Sequence, residues 1–242
     1  MLAPLMQTDP STPRLTVYDD SRGVRMDFSA QTLDNWASKV ANMLDEEFDA
    51  GDEVAIDLPV SWQAAVIAIG AYNSSRTPLI DASGAPAPEL IFTTLDGAAR
   101  WSEVPDCVVV SDDPFGRGVV EAGGELPVGT VDFGPTVRFY GDDYFGQSPA
   151  LSSFAVPGIA AERYLVQDWH TTEEFAANVL GPIAAGGSVV VVTGLVSAER
   201  LQEIAEAEKA TASSTGSSAA GPWLGYRVWS VILWRIHPCS RP

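Results

Sequence analysis

Apolar positions along this chain follow two alternating rhythms, short buried runs and longer stretches at helical spacing. "RLTVYDD" (14–20) and "GVRMDFS" (23–29) flank a short turn and predict a hairpin or two short strands. Ser29 then precedes Leu33, Trp36, Ala37, Val40 and Leu44, which share one helical stripe. That pattern predicts an N-capped helix of about sixteen residues. After a Gly51-Asp52 turn, "EVAIDL" reads as a buried strand, and Ser61 caps a second helix with Trp62, Ala65, Val66, Ile69 and Tyr72 on one face. The alternation continues through "ELIFTT", a short helix at 95–101 and the strand "CVVVS". From 112 to 160 glycines and prolines interrupt it, and "TVRFY" (136–140) is the clear strand there. Order returns with "RYLVQ" (163–167), a helix near 172–185, "SVVVV" (188–192) and a helix capped by Ser197 that runs towards Lys209. Strands alternating with helices predict an α/β fold with a mostly parallel sheet and helices on both faces.

The pattern also sets boundaries. Residues 1–13 hold three prolines and few apolar anchors and read as a flexible arm, leaving 14–211 as the α/β domain. At 211 the composition changes to "TASSTGSSAAG", a linker-type run. The following "PWLGYRVWSVILWRIHPCSRP" carries three tryptophans and three arginines and no acidic residue. Residues 212–242 therefore read as linker and atypical tail. The tail is either an amphipathic segment that touches membrane or sequence foreign to the domain.

Composition narrows the function classes. The 242 residues are 46% hydrophobic, enough for a full core, and 32 Asp+Glu against 14 Lys+Arg give a formal charge of −18. So acidic a surface repels phosphate backbones and anionic lipid, so neither nucleic acid nor a membrane surface is an expected partner. No basic residue precedes Arg14, and no apolar run approaches a membrane span, so a cytoplasmic protein is expected. Cys107 lies in the apolar run "DCVVVS" far from Cys239, which predicts a buried free thiol and neither a disulfide framework nor zinc spacing.

In their order along the chain, four stretches resemble the N-terminal domain of the adenylate-forming superfamily, which includes acyl-CoA synthetases. "FSAQTLDNWASKVANML" is similar to that family's first long helix, and "GDEVAIDLPVSWQAAVIAIGAYNSSRTPL" to its GD-x-V-A-x-x-L-P segment and Ala-rich helix. "LVQDWH" takes the place of its Pro-Leu-Phe-His motif. "NVLGPIAAGGSVVVV" with "SAERLQEIAEAEKAT" resembles its helix, Ala-Gly turn, strand and next helix. The resemblance implies an ATP-dependent activity on carboxylic acids and a Ser/Thr/Gly-rich phosphate loop ending in Lys ahead of His170. Nothing between 115 and 165 fits that loop: "GQSPALSSFAVPG" has serines but neither a glycine-rich turn nor a lysine. "SSTGSSAAG" (213–221) has the small residues but no lysine, and it follows the elements it should precede. The family's adenine and ribose contacts and its catalytic lysine lie beyond these matched stretches. The resemblance thus implies a truncated, degenerate member, incompetent for adenylation alone, with ATP, AMP or acyl-CoA as ligands only where a remnant pocket survives.

Trp169 and His170 are the candidate pocket residues. His170 either lines a remnant cleft or sits partly exposed and caps the helix starting near Thr171. Asp112 and Asp113 follow a strand, where α/β sheets place sites, and are candidate Mg²⁺ ligands or ordinary solvated loop residues. No Gly-x-Ser-x-Gly elbow is present, and His170 and His237 alone offer little for a triad. Trp36 and Trp62 read as core. Three functions follow: the degenerate acyl or nucleotide binder, a homo-oligomer or protein-partner subunit, and a metal-dependent enzyme using Asp112 and Asp113.

Overall fold

Two five-stranded sheets, not one, organise the described residues. The computed structural model describes residues 1–48, 50–80, 88–194 and 196–214, the last three as backbone. In sheet A, β1 (Pro13–Asp19) and β2 (Val24–Ser29) form the predicted antiparallel hairpin, with Val17 opposite Met26. β9 (Ser188–Thr193) runs parallel to β1, β8 (Arg163–Val166) parallel to β9, and β10 (Ala212–Ser214) parallel to β8. The order is β10-β8-β9-β1-β2. Sheet B is parallel throughout, in the order β4 (Thr77–Ile80), β3 (Glu53–Asp57), β5 (Leu90–Thr94), β6 (Asp106–Val110) and β7 (Val131–Asp132).

Both faces of each sheet are covered, and the strands show it by their period of two. Val54, Ile56, Val108 and Val110 join the main core with Val189 and Val191, while Ala55, Cys107 and Val109 face a second cluster and Val190 and Val192 a third. The main core also takes in helices α2 (Ala30–Glu46) and α3 (Trp62–Asn73). Local chemistry starts them where the sequence predicts: Ser29 accepts a bond from Thr32 N, and Ser61 one from Ala64 N, both at 3.1 Å. α3 is buried on nearly every face, from Trp62 to Ala71, because small residues let α2 approach closely at Gly70. Cys107 is buried as predicted, and that burial pushes its thiol pKa up. Among the described residues, no helix is long and apolar enough to cross a membrane.

Three expectations need correction. The predicted arm contains α1 (Ala3–Thr8), with Pro4 in its first turn, where a missing N–H costs nothing, and with Leu2 and Leu5 buried. "TVRFY" is not a strand. Its first residues belong to α4 (Phe133–Val137), which buries Phe133 and Val137 one helical turn apart, and Pro135 could not donate to a ladder. The 212–242 linker begins late, since 212–214 pair with β8; the rest of that segment, with His237 and Cys239, lies outside the described residues. The helix near 172–185 is present as α5 (Thr172–Phe175), a π-turn (Ala176–Leu180) and α6 (Gly181–Ala184). The widened turn falls where Pro182 has no N–H to give the carbonyl of Asn178.

The last helix, α7 (Ala198–Ala207), is capped by Ser197 as predicted and ends on a partly buried charge cluster. The Glu208 carboxylate accepts from Tyr18 Oη at 2.6 Å, Arg25 Nε at 2.7 Å and Arg163 Nη2 at 2.5 Å, tying α7 to β1, β2 and β8. Burial opposes its ionisation, yet the bonds from Arg25, Tyr18 and Arg163 outweigh that and hold its pKa down at about 2, against an ordinary 4.5. A depressed carboxylate stabilises the fold above its unfolded pKa and loses that contribution as pH falls through the folded one. Glu208→Gln should therefore cost up to about 3 kcal/mol at pH 7. Urea unfolding of both proteins should show the gap narrowing between pH 4.5 and about 2. A gap independent of pH would assign the loss to packing instead.

Candidate active-site cleft

The carboxyl ends of six strands open into one cleft of about 950 Å³. Sheet A contributes Asp19 at the end of β1 with Ser21 and Arg22 beyond it, 167–170 after β8, and Thr193 and Gly194 around the end of β9. Sheet B contributes 58–63 after β3, Thr94 to Asp96 after β5, and Ser111, Asp112 and Pro114 after β6. Ligands of α/β folds bind at such strand ends, because loops there diverge over a rigid base. A smaller hollow of about 520 Å³ beside Tyr72 and Ser148 lies away from these ends, and its Arg76 is held by Asp45 at 2.5 Å.

The start of α3 shapes one wall. Trp62 Nε1 donates to Pro114 O at 3.1 Å, and the buried Gln63 amide donates to Asp113 O at 2.9 Å and Ser111 O at 3.4 Å. Those bonds hold the loop after β6 against the helix. Trp62 stands 5.1 Å from the Trp36 ring and 5.2 Å from Phe28, so it is core and cleft wall at once, and Trp36 packs behind it.

Asp112 and Asp113 do not converge. Asp113 is buried and accepts from Arg117 Nε and Nη2 at 3.0 and 2.7 Å and from Phe115 N at 2.9 Å. The Arg117 hydrogen bonds hold its pKa below the usual carboxylate range. It fixes a loop and does not line the cleft. Asp112 does line it, and its carboxylate is engaged by Arg22. Among the described residues, no group of three or more His, Cys, Asp or Glu is placed to hold a metal ion.

Trp169 and His170 both line the cleft. Trp169 is buried edge-on against Phe175, ring centres 5.2 Å apart. The His170 side chain is 74% exposed, with Nε2 3.0 Å from Asp168 Oδ2. Its backbone N–H donates to Glu174 Oε2 at 2.7 Å, while Thr171 Oγ1 accepts from Glu174 N at 3.1 Å. Thr171, not His170, is therefore the N-cap, and Glu174 reaches one residue further back to hold the His170 N–H. Sequence reasoning missed Arg22, Trp62 and Gln63 as site residues. A buried glutamine in the first turn of an otherwise apolar helix was the available signal for Gln63.

In the stretch ahead of His170 where the resemblance places a phosphate loop, the chain stays off the cleft. The segment around 140–148 is strapped to α2 and α3: Lys39 Nζ donates to Tyr140 O at 2.6 Å, Asn42 to Gly141 O and Asp143 O at 3.1 and 3.0 Å, and Ser148 to Asn73 O at 2.6 Å. No residue from 125 to 166 lines the cleft, and neither do Lys39 and Lys209, the lysines of the chain. Among the described residues, its ionisable lining is Asp19, Asp96, Asp112 and Asp168 with Arg22 and His170.

No family model matches the chain. A Mycobacterium tuberculosis protein described as a TIGR03089 family protein is 34% identical over 219 residues, spanning 79% of this chain and 87% of that one. Among solved structures, an acyl-CoA synthetase from Brucella canis superposes with a TM-score of 0.68 at 18% identity, over 86% of this chain and 45% of that one. Acetoacetyl-CoA synthetase from Streptomyces lividans gives 0.64 at 16% identity, over 88% and 41%. Apo MatB from Rhodopseudomonas palustris gives 0.61 at 13%, over 88% and 48%. The chain thus spans less than half the length of each of these three proteins. Its fold is that of the N-terminal subdomain of adenylate-forming enzymes, and by its identity to the mycobacterial protein it belongs to the TIGR03089 family.

Proposed function

We propose that the protein is an adenylate-forming-like domain that holds an apolar, acyl-type ligand in its cleft and does not adenylate it. The described lining of the strand-end cleft carries this reading: apolar walls from Val24, Met26, Leu58, Val60 and Trp62 and four carboxylates, with no lysine and no glycine-rich turn among the described residues. A polyphosphate needs converging N–H groups and a cation. Each carboxylate within about 4 Å would instead repel it by about 1 to 4 kcal/mol, depending on solvent access. An alkyl chain gains about 0.8 kcal/mol per buried CH₂, part of which the loss of free motion takes back. Micromolar to millimolar affinity is the corresponding range.

Thermal unfolding with fatty acids, acyl-CoAs and ATP·Mg²⁺ tests it through mass action on the folded state. An upward shift of several degrees is expected with a medium-chain acyl ligand and none with ATP·Mg²⁺, and ATP–pyrophosphate exchange should stay at background. A shift with ATP, or measurable exchange, would reinstate the ligase reading. A second reading, a self-association or partner surface, is favoured by Phe139 and Phe145. They stand 90% and 93% exposed on and beside the strap over α2. Sedimentation of wild type and a Phe139→Ser/Phe145→Ser variant tests it, with a dimer lost in the variant as the supporting outcome.

A further inference from the structure

One side chain joins the two sheets at the cleft. Arg22 sits in the turn between β1 and β2, where its N–H donates to Asp19 O at 3.2 Å and Ser21 Oγ donates to Asp19 Oδ1 at 2.5 Å. From sheet A its guanidinium reaches the end of β6 in sheet B, with Nη1 donating to Asp112 O at 2.5 Å and Nη2 to the Asp112 carboxylate. Next in the turn, Gly23 has φ +64, and a Cβ there would meet nothing within 4 Å, so the turn's tip is free of packing. Among the described residues that line the cleft, Arg22 is the arginine, and no lysine accompanies it.

We propose that the Arg22–Asp112 pair is a ligand-displaced latch, in which the head group of an amphipathic monoanion takes the guanidinium over from Asp112 and frees the two sheets at the cleft mouth. The inference rests on the acyl-binding reading and assigns the head-group end of that ligand. Three observations support the exchange. The Asp112 side chain is 80% exposed, so water holds it well once released, and exposed pairs are weak. A ligand whose chain lies on Val24, Met26 and Trp62 adds apolar burial to its charge-assisted bonds with the same guanidinium, a gain that Asp112 cannot make. Asp19, which keeps its own contact to Arg22 Nε at 3.5 Å, leaves the guanidinium room for one further anion, and Asp96 and Asp168 disfavour a second negative charge.

Octanoate and octanol, equal in chain length and different in charge, are titrated calorimetrically into wild type, Arg22→Gln and Asp112→Asn. Both substitutions are at solvent-exposed side chains, and urea unfolding checks that each variant folds. Wild type should prefer octanoate about tenfold, Arg22→Gln should lose the preference while keeping octanol affinity, and Asp112→Asn should bind octanoate about three- to tenfold more tightly than wild type. Equal binding of both probes to wild type, or an Asp112→Asn variant no tighter than wild type, overturns the latch and leaves the apolar cleft standing. Failure of both probes to bind all three proteins overturns the acyl-binding reading and the latch with it.

Discussion

Gly70→Ala lowers the stability of this protein, although alanine is the better helix former by about 1 kcal/mol. At Gly70 the axes of α2 and α3 come so close that a new Cβ would lie 2.4 Å from both Cβ and Cγ1 of Val40 and 3.2 Å from the Ala37 carbonyl oxygen. Val40 is β-branched and fully buried, so it cannot rotate out of the way, and the helices must separate. Overpacking of that kind costs about 1 to 3 kcal/mol, which outweighs the propensity gain. Gly70→Leu should leave no soluble folded protein. The urea midpoint measures the alanine variant, and pairing Gly70→Ala with Val40→Ala should recover part of the loss, a coupling that only contacting residues show. A Gly70→Ala protein as stable as wild type would mean that the two helices part freely.

Trp62→Ala should cost about 3 to 5 kcal/mol and abolish acyl binding. The indole fills the space between Phe28 and Trp36 and carries the hydrogen bond to Pro114 O that holds the cleft wall. Trp62→Phe separates these roles. It keeps most of the ring contact and loses the N–H, leaving the Pro114 carbonyl without that donor, for about 1 to 2 kcal/mol. Urea unfolding and octanoate titration of both variants give the comparison. Full binding by a folded Trp62→Ala protein would remove this residue from the site.

Much of the fold was legible because its signals are local. Ser29, Ser61 and Ser197 each satisfy an N–H three residues on, and the valine-rich runs at 106–110 and 188–193 are strands buried on both faces. The division into two sheets was not legible, since nothing near Leu15 says that its parallel neighbour is Val189. "TVRFY" misled because alternation over five residues cannot outweigh Phe133 and Val137 one turn apart with Pro135 between them. The site was half visible. His170 and Asp112 stood out as a rare residue and as a strand-end carboxylate, and both line the cleft. Arg22 lies in a turn about ninety positions from the loop it holds, and an arginine in a turn ordinarily means only solvent.

The strand order also dictates a timetable for synthesis. Sheet B is encoded without interruption between Glu53 and Asp132, so all its strands have been made before sheet A has received its third. The β1–β2 hairpin is translated ahead of the other strands of both sheets, yet the parallel flank of β1 stays open until β9 follows. Contacts so distant in sequence form late and slowly, and an unpaired strand is an invitation to aggregate. Met26, on the hairpin that waits longest, belongs to the same cleft that the completed sheet will enclose.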